Sequence, residues 1–189
     1  MWNEQIIMML LEGIKDTLYM TLTSTLIGYV IGLPMGILLT VTDKDGIHPN
    51  AAVYKVLDVI ANLIRSVPFL ILLIVLIPFT RFLIGRSYGP TATIVPLVIA
   101  AAPYIARMVE SSLKEVDAGV IEAARSMGAS NFTIVTKVML VEARTSLIVG
   151  ATISLGTILG YSAMAGTVGG GGLGDIAIRY GYTRWQTDI

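Results

Sequence analysis

Four long stretches of the chain carry apolar residues almost without interruption, and the charged positions crowd into the gaps between them. From Thr17 to Val41 about 25 residues pass without a charge, enough helix to cross a hydrocarbon core of roughly 30 Å with some tilt. Ahead of that run Ile6, Ile7, Leu10 and Ile14 recur at helical spacing, which predicts a short helix lying on the membrane surface. Glu4 and Glu12 stand where a cleavable leader would carry basic residues, so this stretch does not read as a signal peptide.

Beyond the turn-rich "TDKDGIHPN", residues 51–65 are amphipathic: Asp58, Asn62 and Arg65 share one helical face while Val56, Val59, Ile60 and Leu63 fall mostly elsewhere. The apolar "SVPFLILLIVLIPFT" follows, and a second span is predicted over 57–80 with Asp58 to Arg65 at its wet end, because a charge so near lipid must face water or protein. A third span is predicted over 87–106, where Pro90, Pro96 and Pro103 free carbonyls that neighbouring helices or an aqueous cavity must satisfy. A fourth, over 145–165, ends where "AGTVGGGGLGD" makes continued helix costly, at about 1 kcal/mol per glycine against alanine. The pattern thus predicts an all-α, polytopic transmembrane helix bundle with a single domain over 1–189. Gly28, Gly32 and Gly36 recur every four residues on the first span. They form either a face that lets another helix approach closely or glycines of the kind any membrane helix tolerates.

Composition agrees with a membrane protein, since 54% of the residues are hydrophobic and only 14% charged, against about 25% in an ordinary soluble domain. Basic and acidic residues balance at 13 each, which leaves no electrostatic footprint for nucleic acid. Cysteine is absent, so disulfides, thiol nucleophiles and thiolate metal sites are excluded together. His48, the one histidine, sits beside Pro49 in a polar loop without the partners that zinc or triad chemistry needs. Lys44, Lys55 and Arg65 flank the connection between spans one and two, and Arg107, Lys114, Arg125, Lys137 and Arg144 lie between spans three and four. Lys15, Arg81, Arg86, Arg179 and Arg184 fall on the other side, and this bias places the long third connection in the cytoplasm and both ends of the chain outside.

That connection, 107–144, is patterned. Asp117 is placed to cap a helix, Gly128 to end it in the left-handed region, and Ser130 or Asn131 to cap the next one. Val120, Ala123, Ala124 and Met127 form one stripe of the short helix, and Glu122, Arg125 and Ser126 another. Such a helix either rests on its own bundle or seats in a partner's groove, and the two central alanines favour the groove.

The residues "EAARSMG", followed by nine residues and then "VML", resemble the EAA loop of binding-protein-dependent ABC importer permeases. Glu122, Ala123, Ala124, Gly128, Val138 and Leu140 fill the motif's places, while Val141 stands where that family usually has proline and Arg144 also departs from it. "NLIRSVPFLILLIVLIPFTR" and "GYSAMAGTVGGGGLGDIAIRYGY" are similar to the permease subunits of methionine importers, and the likeness runs through nearly the whole chain. The resemblance implies the type I importer permease fold, in the bacterial inner membrane, with five spans, of which the fifth would follow "RWQTDI" and is missing from the chain. It also implies a homodimer carrying D- or L-methionine, two cytoplasmic ATPase subunits that use ATP and Mg, and an extracytoplasmic methionine-binding lipoprotein.

On that resemblance Glu122 pairs with a basic group at the rim of the ATPase groove, Ala123, Ala124 and Met127 fill its floor, and Gly128 permits the sharp exit. Candidate path residues are Tyr161, Ser162, Ala163 and Met164 in the fourth span, Met164 as a gate, followed by Pro68 and Phe69 in the second. Ordinary helix packing is the competing role for each of them. No G-x-x-x-x-G-K-[ST] pattern occurs, so the chain has no phosphate-binding loop, and Gly169 to Gly174 read as a flexible outer loop. Glu110, Glu115, Asp117 and Glu122 form no catalytic pair and read as a solvated face. A permease for another solute shares all these motifs, and a channel or membrane-anchored interaction protein would need no ATPase.

Overall fold

The computed structural model describes residues 4–186, and every regular element among them is helical. The first helix, α1, runs unbroken over Glu4–Thr42 and includes Pro34. At about 1.5 Å per residue it is roughly twice as long as a hydrocarbon core is thick. The surface helix expected ahead of the first span is therefore the opening turns of α1, because Lys15 and Asp16 are polar without breaking a helix.

The second apolar run departs further from expectation. In place of one span over 57–80 there are three helices, α2 (Ala51–Ser66), α3 (Phe69–Val75) and α4 (Ile77–Ile84). Pro68 causes the first break, since it has no amide hydrogen and drives Val67 away from helical geometry. Its carbonyl starts α3 by accepting from the amides of Ile71 and Leu72 at 2.9 and 3.0 Å. Pro78 stands in the first turn of α4, and Gly85 ends that helix at φ +82°.

Two long helices follow, α5 (Pro90–Lys114) and, after the connection, α9 (Arg144–Ala165). Between them lie α6 (Ala118–Ser126), a turn at α7 (Asn131–Thr133), a π-helical stretch over Ile134–Met139 and the short α8 (Leu140–Glu142). The chain breaks at Ala143 without the proline expected two residues earlier. After α9 come a 3-10 turn, Gly166–Val168, the short α10 (Gly172–Ile176) and a π-helical stretch, Ala177–Tyr182. Among the described residues α1, α5 and the helical stretch Arg144–Val168 are long and apolar enough to cross a membrane singly, and α2 with α3 only as a broken pair.

The chain divides into two compact units. The first takes the chain up to Ile27, Val67–Ala101 and the chain from Leu155. Its core includes Met20, Leu73, Ala92, Leu97, Ile158 and Ala165. The second takes Gly28–Ser66 and Ala102–Ser154, with Leu39, Ala61, Ile105, Val109, Leu113 and Ile134 buried inside it. Within the second unit α1 and α5 meet at glycines. A Cβ at Gly32 would stand 2.6 Å from the Ala102 carbonyl oxygen, and one at Gly36 2.5 Å from that of Ala106. At Gly32 and Gly36, close approach of another helix is the reading the packing realises.

Candidate functional site

The short helix α6 is built by local chemistry. Asp117 caps it, its carboxylate accepting from the Gly119 amide at 2.7 Å. At the other end the amide of Ala129 donates to the Ala124 carbonyl at 3.1 Å and that of Gly128 to the Arg125 carbonyl at 2.9 Å. This paired closure places Gly128 at φ +81°, and nothing lies within 4 Å of where its Cβ would be. Glycine is required there by backbone geometry and not by space. Ser130 then caps the next turn by accepting from the Thr133 amide at 3.2 Å.

The stripe expected along α6 divides in two. Ala124 is buried in its own chain, in a helix that packs on the Ile134–Met139 stretch. Ala123 and Glu122 are exposed, Val120 is 41% exposed and Met127 82%. So Ala124 supports the helix from behind, and Val120, Ala123 and Met127 form the uncovered apolar face beside Glu122. Sequence alone groups the two alanines; the direction of the supporting surface separates them.

Arg125 fastens α6 to the loop that follows α1, donating from Nη2 to the Ile47 carbonyl at 2.9 Å. A cavity of about 590 Å³ opens beside this bond, lined by Asp43, Gly46, Ile47, Lys114, Ile121 and Arg125 among others. Its wall carries an ion pair, Lys114 Nζ to the Asp43 carboxylate at 2.6 Å. The Lys114 ammonium holds the Asp43 carboxyl below the usual carboxylate range, and the Lys44 amide adds to that effect.

Glu110 corrects the sequence reading. It is 5% exposed, not solvated, and accepts from Lys114 at 2.8 Å and from Arg107 at 2.7 Å. Arg107 also reaches the Asp58 carboxylate and, at 3.1 Å, the Asn62 side-chain oxygen on α2. A sequence signal existed: Arg107, Glu110 and Lys114 are spaced three and four apart, so alternating charges share one face of an otherwise apolar helix. Glu115, Asp117 and Glu122 are exposed as expected.

In the first unit Phe69 and Tyr161 come together as stacked rings, 4.5 Å between centroids and 6° between planes. Ser162 turns inward instead: its hydroxyl donates to the Leu159 carbonyl at 2.8 Å and accepts from Thr21 at 3.4 Å. Its side chain is buried. Ala163 and Pro68 are exposed, and Met164 is 46% exposed. The glycine-rich segment beyond them is not the open loop expected. Gly166 lies against the backbone of Gly174 and Asp175, and Gly174 against that of Ala163, so closely that no Cβ fits at either. The Leu173 amide donates to the Thr17 hydroxyl at 2.9 Å, and the Gly89 amide to the Gly169 carbonyl at 2.9 Å. Missing side chains here serve packing, with the Gly170 backbone seated near Thr93.

Residues 8–185 match the model of a family described as the inner membrane component of binding-protein-dependent transport systems. A relative from Vibrio cholerae, a probable D-methionine transport system permease protein, MetI, is 47% identical over 181 residues, covering 96% of this chain and 80% of its own. The D-methionine transport system permease protein MetI of Escherichia coli K12 is 51% identical, covering 87% of this chain and 76% of its own. Among solved structures, a chain of the MetNI methionine ABC transporter in an inward-facing conformation superposes with a TM-score of 0.95 at 50% identity, covering 97% of this chain and 85% of that one. A chain of an amino acid ABC transporter at 22% identity shares the fold, with a TM-score of 0.76. Helical architecture and sequence agree: the chain belongs to the family of inner membrane permease components of binding-protein-dependent transport systems.

Proposed function

We propose that this chain forms the translocation path of an ATP-driven methionine importer, working as one of two permease copies moved by two ATPase subunits and supplied by an extracytoplasmic methionine-binding lipoprotein. The observation that carries the reading is the division of α6. Its own chain covers Ala124 and holds Arg125, leaving Val120, Ala123 and Met127 uncovered beside the exposed Glu122. A partner groove that buries this stripe and offers a cation to Glu122 would grip the helix firmly. Methionine as cargo rests on similarity to relatives that bear its name.

ATP and Mg act in the partner, since no phosphate-binding pattern occurs in this sequence. Closure of the ATPases moves α6, and the helix bundle rocks between outward and inward openings. Along the path the Phe69–Tyr161 stack and the exposed Ala163 and Met164 offer apolar, weakly binding contacts beside Pro68. Such contacts suit a solute that must leave again. The experiment is uptake of labelled methionine by vesicles holding the chain with its cognate ATPase and binding lipoprotein. ATP-dependent uptake blocked by unlabelled methionine supports the reading; uptake that ignores ATP, or that another amino acid blocks equally well, overturns it.

A further inference from the structure

Five charged side chains in the second unit alternate in sign. Asp43 follows α1, Lys114, Glu110 and Arg107 project from α5, and Asp58 lies on α2. Glu110 is the centre, bonded to both cations at 2.7 and 2.8 Å, with the Tyr54 hydroxyl of α2 at 3.5 Å. Each cation then reaches a carboxylate on a different element. The loop that carries Asp43 also offers the Ile47 carbonyl to Arg125 of α6. One continuous series of directional bonds therefore joins α6, the loop, α5 and α2.

Apolar side chains would hold these helices together at least as well, because desolvating charges offsets most of their attraction. What a satisfied buried network adds is a single register, with any sliding leaving charges unpaired. We propose that Glu110 is a positioning residue that locks the end of α1, α2 and α5 into one rigid body with α6, so that a displacement of α6 is delivered to α2 and not absorbed by the loop at 43–50. The inference rests on the reading of α6 as the helix that the ATPase moves.

The chain has no cysteine, so a pair introduced as Lys55→Cys on α2 and Ser126→Cys on α6, both exposed, can carry spin labels cleanly. Distances between the labels are measured in the assembled complex without nucleotide and with ATP trapped before hydrolysis, and methionine uptake per ATP is measured on matching vesicles. In the otherwise unaltered chain the distance is the same in both states. Glu110→Gln broadens and shifts it between states and lowers uptake per ATP about fivefold or more, while ATP hydrolysis stays near the unaltered rate. Lys114→Met does the same and serves if Glu110→Gln fails to assemble. A distance that changes in the unaltered chain, or variants that keep both the fixed distance and the unaltered stoichiometry, overturn the proposal. Absence of methionine uptake in the unaltered complex overturns the cargo reading alone, since the label distances still decide the lock.

Discussion

Arg125 and Ile47 lie 78 residues apart in sequence, yet the guanidinium of one donates to the main-chain oxygen of the other at 2.9 Å. The bond ties α6 to the loop after α1, on the side where Ile121, Glu122 and Arg125 line the cavity. Replacing Arg125 by alanine should loosen that tie at a cost of about 1 kcal/mol. Amide exchange should then speed up over both 43–50 and 117–128; unchanged exchange in the loop would show that the bond carries nothing.

Gly128 offers a test in which space plays no part. Its φ of +81° is strained for a residue with a side chain, while a Cβ would meet nothing within 4 Å. Gly128→Ala should lower stability by about 1 kcal/mol or more, and Gly128→Asn by less, because asparagine tolerates the left-handed region. Thermal unfolding of the purified complex measures both, and equal losses would point to a role other than backbone geometry.

Glu122 is exposed on α6. Reversal to lysine should leave the fold of the isolated chain intact and weaken assembly with the ATPase or its coupling to uptake. Co-purification yield and uptake per ATP read the two effects separately.

The approach of α1 to α5 predicts an asymmetry among glycines. Gly36→Ala would bring a Cβ to 2.5 Å from a backbone oxygen and 2.7 Å from the Val109 Cβ, so the helices must part, at about 1–3 kcal/mol. Gly150→Ala meets Met108 at an ordinary 3.6 Å and should be tolerated. Unfolding temperatures of the two variants, compared with the unaltered chain, check the difference.

The Asp43–Lys114 pair sets a pH window. The folded-state pKa of Asp43 is depressed, so its contribution is complete above the unfolded value, about 3.9, and is lost as pH falls through the folded one. The stability difference between the unaltered chain and Asp43→Asn should therefore be flat from roughly pH 5 to 8 and shrink only below about pH 4. Unfolding midpoints measured across that range check the sign.

Asp117 and Gly128 are legible in the sequence because capping is decided within a few residues, and the apolar runs are legible because burial follows periodicity. Glu110 is legible only in part: its spacing from Arg107 and Lys114 marks a charged face, but only the meeting of α5 with α2 and the end of α1 turns a typical surface carboxylate into a buried one. The burial of Ser162 has a similar reason, since its partner Thr21 lies more than a hundred residues away, as does Thr17, which fixes the Leu173 amide of the glycine-rich segment. Pro68 carried its signal openly, and the apolar composition around it obscured the break.

Coupling through α6 is read in methionine taken up per ATP hydrolysed, in vesicles holding the chain with its ATPase and binding lipoprotein, compared with the same assembly carrying Glu122→Lys. If α6 is the helix the ATPase moves, uptake is ATP-driven and methionine-specific in the first, and coupling or assembly is clearly lost in the second. Full, coupled uptake by the Glu122→Lys assembly would contradict it.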